Sequence, residues 1–330
     1  MESKTGVSTK KRPLLKLLAG GGRLGDQLFM YASQLGLAET HDMDSCMVKT
    51  DQHLTIEQMF IGPIKWCDDE EYDIEWVGGW RSEKISQLRR VDDDADLVYG
   101  LSGYMHSPRN FVAAKTPTGD FVDYSDLLYQ KLTLKKTDAE WQDLIQNTMK
   151  EGERDEDEST EVIKVGIHVR RGDKVDDPKY TVADADYYRR AMDYFRKRYN
   201  RDCKSNGDTE DCRRIRVKFY ISTDTISWID ENDDTFEHPD VVLISNAAET
   251  EEDDNLCVMI DFAMLAKCDH IILSGGGFGF WVAYLGANQN GGEVIIGSAQ
   301  EHLKMRTSSL EEWTNIDEMD FDADEIAAVE

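Results

Sequence analysis

The sequence His168–Asp173 (HVRRGD) stands at the end of a β-branched run, residues 162–169, that predicts a buried strand. Two adjacent arginines at a strand end are costly to desolvate unless an anion or a carboxylate meets them. A guanidinium group is a planar fork that matches phosphate oxygens, and a diphosphate leaving group needs such neutralisation. We therefore expect Arg170 and Arg171 to hold a phosphate. The competing interpretation is ordinary surface ion pairs in an acidic protein.

A glycine-rich turn, Ser274–Gly279 (SGGGFG), follows a second apolar run at residues 270–273. Backbone N–H groups at such a turn form an anion-binding nest, which the N-terminus of the following helix reinforces. The spacing differs from the dinucleotide-binding fingerprint, so the segment taken alone is explained as well by a tight structural turn. Combined with the arginines, it predicts the second wall of one phosphate pocket.

Asp224 follows a third apolar run, residues 217–222, at another expected strand end. A carboxylate in that place can accept hydrogen bonds from the N1–H and N2–H groups of guanine. An equally weighted alternative is an N-cap for the helix that follows. The sequence leaves both interpretations open.

Strands and helices alternate through the second half of the chain, which indicates a doubly wound parallel sheet. The predicted strands cover 162–169, 217–222, 241–244, 270–273 and 294–296, and the predicted helices cover 187–199, 227–231, 255–267 and 280–285. In the first half, residues 14–18 predict a strand, the glycine turn ends at Gly25, and a helix follows from Asp26. Residues 124–150 predict a further helix.

The acidic run Glu151–Glu161 cannot be buried and predicts a linker. We place the domain boundary within it, so that one domain covers 1–155 and the other covers 156–308. The segment 309–330 is acidic and predicts a surface helix or a frayed end.

The charge balance excludes several classes of partner. The chain has 38 Lys and Arg against 66 Asp and Glu, a net charge of −28, and such a surface repels nucleic acid and anionic membranes. No apolar run reaches the about 18 residues that a membrane span needs. The apolar stretch 13–19 is broken by Lys16 and is too short for a signal sequence.

The residues that often bind metals give no strong pattern. Six cysteines without a C-x-x-C spacing disfavour a zinc or redox-dithiol site, and Cys203 and Cys212 flank a polar loop and would pair in an oxidising compartment. Asp184 and Asp186 resemble the D-x-D pair that holds a metal in many nucleotide-sugar transferases. In so acidic a chain, however, such pairs arise readily by chance.

Taken together, the motifs resemble those of the galactoside α-1,2-fucosyltransferase family, which is related to the α-1,6- and protein O-fucosyltransferases. The matching segments occur in the family's order from residue 22 to residue 285. They are Gly22–Gln27 (GRLGDQ), Gly103 and Tyr104 with Ser107 and Phe111, His168–Asp173, Tyr187–Phe195, Tyr220–Asp224, Glu252–Cys268 and Gly276–Leu285.

The resemblance implies an α/β, GT-B-like fold with two Rossmann-like halves of doubly wound, mostly parallel sheet. The C-terminal half would hold GDP-fucose, and the N-terminal half would help to hold the acceptor glycan. The reaction would transfer L-fucose with inversion to the 2-hydroxyl of a terminal β-galactoside, without a metal ion or other cofactor. Family members are usually Golgi membrane proteins with an N-terminal anchor. The sequence shows no anchor, so a soluble form or a fragment is expected.

The resemblance also implies the donor-binding residues. Arg170 and Arg171 would hold the diphosphate, with Arg171 favoured, and Asp173 would orient both arginines. Five further residues complete this expectation: His168 and Asp224 would face the guanosine side, and Ser274, Gly277 and Phe278 would line the phosphate or fucose side.

The catalytic base is the least defined role. Asp176 and Asp177 follow the arginines and are the nearby candidates for taking the acceptor proton. An oxocarbenium-like transition state makes strong base assistance less necessary. Two positions depart from the family pattern, Asp26 in place of Asn and His106 in place of Gln. The alternatives are therefore a non-catalytic member that binds nucleotide sugar or glycan, and a fucosyltransferase of different linkage.

Overall fold

The computed structural model describes residues 12–18, 22–61, 64–68, 74–77, 98–101, 113–115, 121–123, 133–134, 143, 146–150, 160–178, 180–202, 213–245, 254–287, 291–297 and 313–319. The chain forms two compact units, Met1–Thr133 and Leu134–Glu330. The domain boundary predicted at residue 155 falls outside the described residues and stays a prediction. None of the helices described is long and apolar enough to cross a membrane.

The first unit is built on a four-stranded parallel sheet with the strand order β2-β1-β5-β4. The strands and helices of this part of the chain are β1 (Leu14–Leu17), α1 (Leu24–Thr40), β2 (Asp44–Met47), α2 (Asp51–Met59), β3 (Phe60–Ile61), β4 (Ile74–Val77), β5 (Val98–Leu101), β6 (Ala113–Lys115) and β7 (Phe121–Asp123). The buried Gln34 amide donates to the carbonyls of Leu15 and Cys46, at 3.0 and 2.7 Å, and so joins α1 to β1 and β2. The strand and the helix predicted at the start of the chain are confirmed, although the helix begins at Leu24 rather than Asp26; residues 20 and 21 of the predicted glycine turn lie outside the described residues.

A disulfide joins Cys46 on β2 to Cys67, 21 residues later in the chain. No spacing in the sequence singles out this pair. The pair that it did consider, Cys203 and Cys212, lies outside the described residues. Of the other cysteines, Cys257 is partly buried and Cys268 is buried, and neither is disulfide-bonded.

Removing this disulfide is expected to lower the stability of the oxidised protein. A cross-link closing a loop of this length, 21 residues, restricts the unfolded chain and is worth about 3 kcal/mol. The variant with Cys46→Ser and Cys67→Ser should therefore unfold at lower denaturant concentration than the unaltered protein, and the difference should shrink when both are reduced. Cys257→Ser is the matched control. Equal midpoints under oxidising conditions would contradict the expectation.

The second unit holds a six-stranded sheet whose neighbouring strands are all parallel, in the order β11-β10-β9-β12-β13-β14. Its strands are β9 (Thr160–Val169), β10 (Arg214–Thr223), β11 (Val241–Leu243), β12 (His270–Leu273), β13 (Val294–Ile296) and β14 (Thr314–Asn315), and β8 (Thr133–Leu134) stands outside the sheet. The predicted α/β fold class is confirmed, since each of the two units holds a parallel sheet with helices.

Helices cover both faces of this sheet. They are α3 (Ala185–Tyr199), α4 (Ile226–Asp230), α5 (Asp233–Phe236), α6 (Asp254–Leu265) and α7 (Gly276–Leu285). On one face, α3 buries Tyr188 and Phe195 in a cluster with Val165, Ile167 and Val169 of β9. On the other face, Gly166 and His168 of β9 lie against α6 and α7. The alternation of side chains along β9 thus sends odd-numbered residues toward α3 and even-numbered residues toward α6 and α7.

The structure differs from the sequence prediction in several places. The strand β9 begins at Thr160, so the last two residues of the run predicted as a linker belong to the sheet, where they pair with β10. The last helix begins at Gly276 rather than Phe280, because the glycine turn supplies its first turn. Residues 133–134 form β8, inside the helix predicted over 124–150, whose only described helical part is 143 and 146–150. Residues 314–315 form β14 at the edge of the sheet, and Ile316 is fully buried, so this part of the predicted tail belongs to the fold.

Candidate functional site

The HVRRGD and SGGGFG segments meet at β9, where the strand order in the sheet of the second unit reverses. From β9, strands β10 and β11 follow on one side, and β12, β13 and β14 follow on the other. Ligands of open parallel sheets bind at such a switch point, beyond the carboxyl ends of the strands. His168 lies directly beside Leu273 of β12 and Ser222 of β10 in the strand register. The HVRRGD and SGGGFG segments therefore leave the sheet side by side.

Ser274 joins these two segments. Its hydroxyl accepts from the backbone N–H of Arg170 at 2.7 Å and donates to the carbonyl of His168 at 2.8 Å. Gly275 and Gly276 then adopt φ values of 117° and 81°, in the left-handed region that favours glycine. This turn starts α7 beside Arg170, whose Cγ is 3.9 Å from where a Cβ on Gly276 would stand. The predicted combination of an arginine and a helix N-terminus is present.

Two carboxylates fix the guanidinium group of Arg170. It forms ion pairs with Asp173 and Asp224, and the Arg170 side chain is 15% exposed. Partial burial opposes ionisation of Asp173, but hydrogen bonds from Lys174 and Arg170 lower its pKa to about 2. The Asp224 carboxylate also accepts from the backbone N–H of Arg171 at 2.9 Å. This arrangement leaves a partly open cation whose orientation is set before any anion binds.

Of the two sequence interpretations of Asp224, the structure contradicts the helix N-cap. The N-cap residue of α4 is Thr225, and no side chain caps that helix. The charge of Asp224 is compensated by Arg170, so this carboxylate supports the cation. Its contact with a nucleobase stays a prediction.

Arg171 lies away from Arg170. Its guanidinium carbon is 4.1 Å from the ring centroid of Trp228, and its Nη1 donates to the carbonyl of Ala183 at 2.8 Å. This is the face of the sheet that α3 and α4 cover. The structure thus brings together His168, Arg170, Asp173, Asp224 and Ser274, whereas the Arg171 guanidinium contacts Trp228 and Ala183.

The imidazole of His168 is buried beside Arg170. Only 6% of the residue is exposed, and burial together with the charge of Arg170 lowers its pKa to about 3. The ring is therefore neutral at neutral pH and can exchange hydrogen bonds without adding charge. It lies 5.0 Å from the Phe278 ring and against Gly279. Within the part of the chain that the structure describes, its Nδ1 has no hydrogen-bond partner.

The remaining predicted residues take simpler positions. Gly277 and Phe278 lie in the first turn of α7. Asp177 follows the 3₁₀ turn Gly172–Lys174, and its backbone N–H donates to the Lys174 carbonyl at 3.3 Å. Its role as a base stays a prediction.

The D-x-D pair has structural partners. The side chain of Asp184 caps α3 by accepting from the N–H of Tyr187 at 2.9 Å. Asp186 forms ion pairs with Arg189 and Arg190. Among the described residues, no group of three or more His, Cys, Asp or Glu is placed to hold a metal ion.

Asp261 is a buried acid that the sequence analysis missed. It extends from α6 toward the carboxyl ends of β10 and β11, where Ser222 and Ser245 donate to its Oδ2 at 2.7 and 3.2 Å. Burial raises the pKa of Asp261 to about 6, and the two hydroxyl donors oppose that rise. Since Ser222 is the neighbour of His168 in the register, Asp261 adds a third carboxylate to the site, beside Asp173 and Asp224. A single acid in an apolar helix was the available sequence signal.

Asp261 is expected to make stability depend on pH. Its pKa is about 6 in the folded protein and lower in the unfolded chain, so the folded state binds the proton more tightly. The free energy of unfolding should therefore fall as the pH rises from about 4 to about 6, by about 2 to 3 kcal/mol from this group. Urea unfolding of Asp261→Asn and of an exposed control, Asp230→Asn, measures this contribution. A pH dependence of Asp261→Asn equal to that of the unaltered protein would contradict it.

Comparisons with known proteins agree on one class. A family profile described as glycosyl transferase family 11 matches residues 121–317. The chain is 28% identical over 313 residues to galactoside alpha-(1,2)-fucosyltransferase 1 of Rattus norvegicus, covering 90% of this chain and 71% of that protein. It is 34% identical over 164 residues to galactoside alpha-(1,2)-fucosyltransferase 2 of Pongo pygmaeus, covering 46% of this chain and 40% of that protein.

Solved structures give weaker similarities. Fucosyltransferase NodZ from Bradyrhizobium is 16% identical with a TM-score of 0.46, covering 84% of this chain and 94% of that chain. A mutant of Arabidopsis thaliana FUT1 in complex with GDP is 10% identical with a TM-score of 0.49, covering 85% of this chain and 70% of that chain.

Proposed function

We propose, from the premise that this chain belongs to glycosyl transferase family 11, that it transfers L-fucose from GDP-fucose to the 2-hydroxyl of a terminal β-galactoside. The transfer inverts the anomeric carbon and uses no metal ion. The observation that carries the proposal is Arg170, fixed by Asp173 and Asp224 beside the N-terminus of α7 at the switch point of the sheet. The names of the curated relatives support the donor and acceptor classes.

Arg170, rather than the favoured Arg171, is the proposed ligand of the diphosphate. It shares a face of the sheet with His168 and the first turn of α7, whereas Arg171 points to Trp228. Guanidinium has five N–H donors, so two carboxylates do not exhaust it. The N–H groups at the start of α7 add hydrogen-bond donors, and the helix N-terminus, like the guanidinium, favours a negatively charged ligand.

In the proposed reaction, the bond between fucose C1 and the β-phosphate oxygen breaks, and its electrons stay on GDP. The acceptor 2-hydroxyl oxygen bonds to C1 from the opposite face and releases its proton. Arg170 and the α7 amides neutralise the charge that develops on the leaving group, which is the largest demand of this step. Asp177 is the candidate to take the proton.

On the base side, we assign the guanine edge to Asp261 in place of Asp224. A guanine presents two N–H donors, and the matching acceptor is a carboxylate whose charge is not already compensated by an arginine. Asp224 is paired with Arg170, whereas the hydrogen bonds that Asp261 accepts come from the hydroxyls of Ser222 and Ser245. The neutral imidazole of His168 lies on the same face and is the second group proposed to contact the guanosine.

Location in the Golgi lumen is part of this proposal. The disulfide between Cys46 and Cys67 supports it, because such bonds persist in oxidising compartments.

Calorimetric titration with GDP, UDP and ADP in the presence of EDTA tests the donor. We expect selective binding of GDP. Incubation of GDP-fucose with phenyl β-galactoside in EDTA, followed by determination of the product's linkage and anomeric configuration, tests the reaction. Equal affinity for the three nucleotides would overturn the donor assignment. GDP binding without transfer across a panel of β-galactosides would favour the non-catalytic alternative, and a product linked elsewhere would favour a different linkage.

A further inference from the structure

The side chain of Arg171 joins three segments around the candidate site. Its guanidinium stacks 4.1 Å from the centroid of the Trp228 ring on α4. Its Nη1 donates to the carbonyl of Ala183 at 2.8 Å, and Ala183 directly precedes Asp184, the N-cap of α3. One side chain therefore links the end of β9 to the starts of two helices.

Trp228 is itself held firmly. Its ring makes edge contacts with Tyr188 at 5.9 Å and with Phe236 at 5.6 Å. Tyr188 is fully buried in the core cluster of the unit. Arg171 is thus anchored to a part of the protein that cannot shift without disturbing the core.

The backbone of the same residue reaches the donor site. The N–H of Arg171 donates to Asp224 at 2.9 Å, and the N–H of Gly172 donates to the Thr225 hydroxyl at 3.1 Å. Asp224 in turn forms an ion pair with Arg170. Displacement of Arg171 would therefore turn the carboxylate that orients the Arg170 guanidinium.

We infer that Arg171 is a positioning residue that acts through Trp228, Ala183 and Asp224 to orient Arg170, and that it does not itself bind the donor. The inference rests on the proposed function. To reach a phosphate beside Arg170, the Arg171 guanidinium would have to leave the Trp228 ring and lose its hydrogen bond to the Ala183 carbonyl. A lysine cannot replace it, because an ammonium group lacks the plane that stacks on Trp228.

A double-mutant cycle on GDP affinity tests the inference. Arg171→Lys and Trp228→Leu are each expected to raise the dissociation constant of GDP by about 5- to 10-fold, and the double variant by no more than the stronger single variant, since both break the same contact. Guanosine affinity should change by less than about 2-fold, because the effect passes through the group that meets the diphosphate. The exposed Arg189→Lys on α3 is the matched control.

A second measurement separates positioning from general loss of structure. Arg171→Ala removes the planar group and leaves space over Trp228, and added methylguanidinium should restore GDP affinity in that variant. The same ion should not restore Arg171→Ala in the Trp228→Leu background. Thermal unfolding of each variant records whether it remains folded.

The outcomes are distinct. If Trp228→Leu leaves GDP affinity unchanged while Arg171→Lys lowers it, Arg171 binds the donor and the inference is overturned. Additive effects of the two substitutions would overturn it as well. If the unaltered protein does not bind GDP, the proposed function fails first, and the inference fails with it.

Discussion

Replacing Arg170 with lysine is expected to lower kcat/KM for fucosyl transfer by about 10²- to 10³-fold, the effect of removing one fixed donor to a developing anion. Lysine keeps the positive charge between Asp173 and Asp224, so the fold should survive. What it loses is the planar fork that can bond two carboxylates and a phosphate at once. The dissociation constant of GDP should rise as well, whereas that of guanosine should change little. Initial rates and calorimetry measure the two effects.

Arg189→Lys is the control for this substitution. Arg189 is half-exposed on α3 and pairs with Asp186, so the same chemical change there should leave kcat/KM within about 2-fold of the unaltered value, as expected for an exposed ion pair. A loss of less than about 10-fold in Arg170→Lys, with a normal unfolding temperature, would remove Arg170 from the transition-state contacts.

Replacing Gly279 with alanine is expected to disrupt the site by displacing the His168 imidazole. A Cβ at this position would stand 2.6 Å from Nδ1 of His168 and 3.1 Å from Cδ2 of Leu273. Alanine has a higher helix propensity than glycine, so propensity alone would make the substitution stabilise α7. The buried imidazole has to move instead, and we expect a net loss of about 1 to 3 kcal/mol of stability from overpacking together with weaker GDP binding.

The double variant Gly279→Ala with His168→Ala identifies the cause. Removing the imidazole restores the space, so the stability lost in Gly279→Ala should largely return. GDP affinity should stay low, because the neutral ring is itself a proposed contact of the guanosine. Gly279→Ala with unfolding temperature and GDP affinity both unchanged would show that the backbone of α7 adapts, and that His168 is not fixed by it.

The sequence predicted the strand ends well because local patterns determine them. The β-branched run 162–169 and the apolar run 270–273 end at the same residues as β9 and β12 in the structure. Because the predicted sheet is parallel, the carboxyl ends of those strands had to lie at the same edge of the sheet. The placement of His168, Arg170 and Ser274 was in this sense available from the sequence.

The sequence could predict only in part that the two arginines point in different directions. Neighbouring residues near the end of a strand point to opposite faces, so one of Arg170 and Arg171 had to leave the site. Which one leaves depends on which helices cover which face, and that follows from tertiary packing. The sequence analysis favoured Arg171 for the phosphate, and the geometry supports Arg170.

Other features depend on contacts between distant parts of the chain. Asp261 gained its position from two hydroxyls, one on β10 and one after β11, and no spacing in the sequence brings these three residues together. The pairing of Cys46 with Cys67 likewise depends on the chain returning to β2, where Trp66 bridges Met47. Composition and periodicity carry no information about which distant segments of the chain come into contact.

The last strand of the sheet has a practical consequence for shortened forms of this protein. A chain cut after residue 308 would look harmless from its composition, yet it would remove β14, the buried Ile316 and the partner of Arg190, Asp317. The exposed edge strand would then be β13, whose three residues are apolar and buried in the full chain and whose outward backbone groups would be unpaired. Exposed edge strands of this kind pair with strands of other molecules. Light scattering should therefore show more self-association in the shortened chain than in the full one.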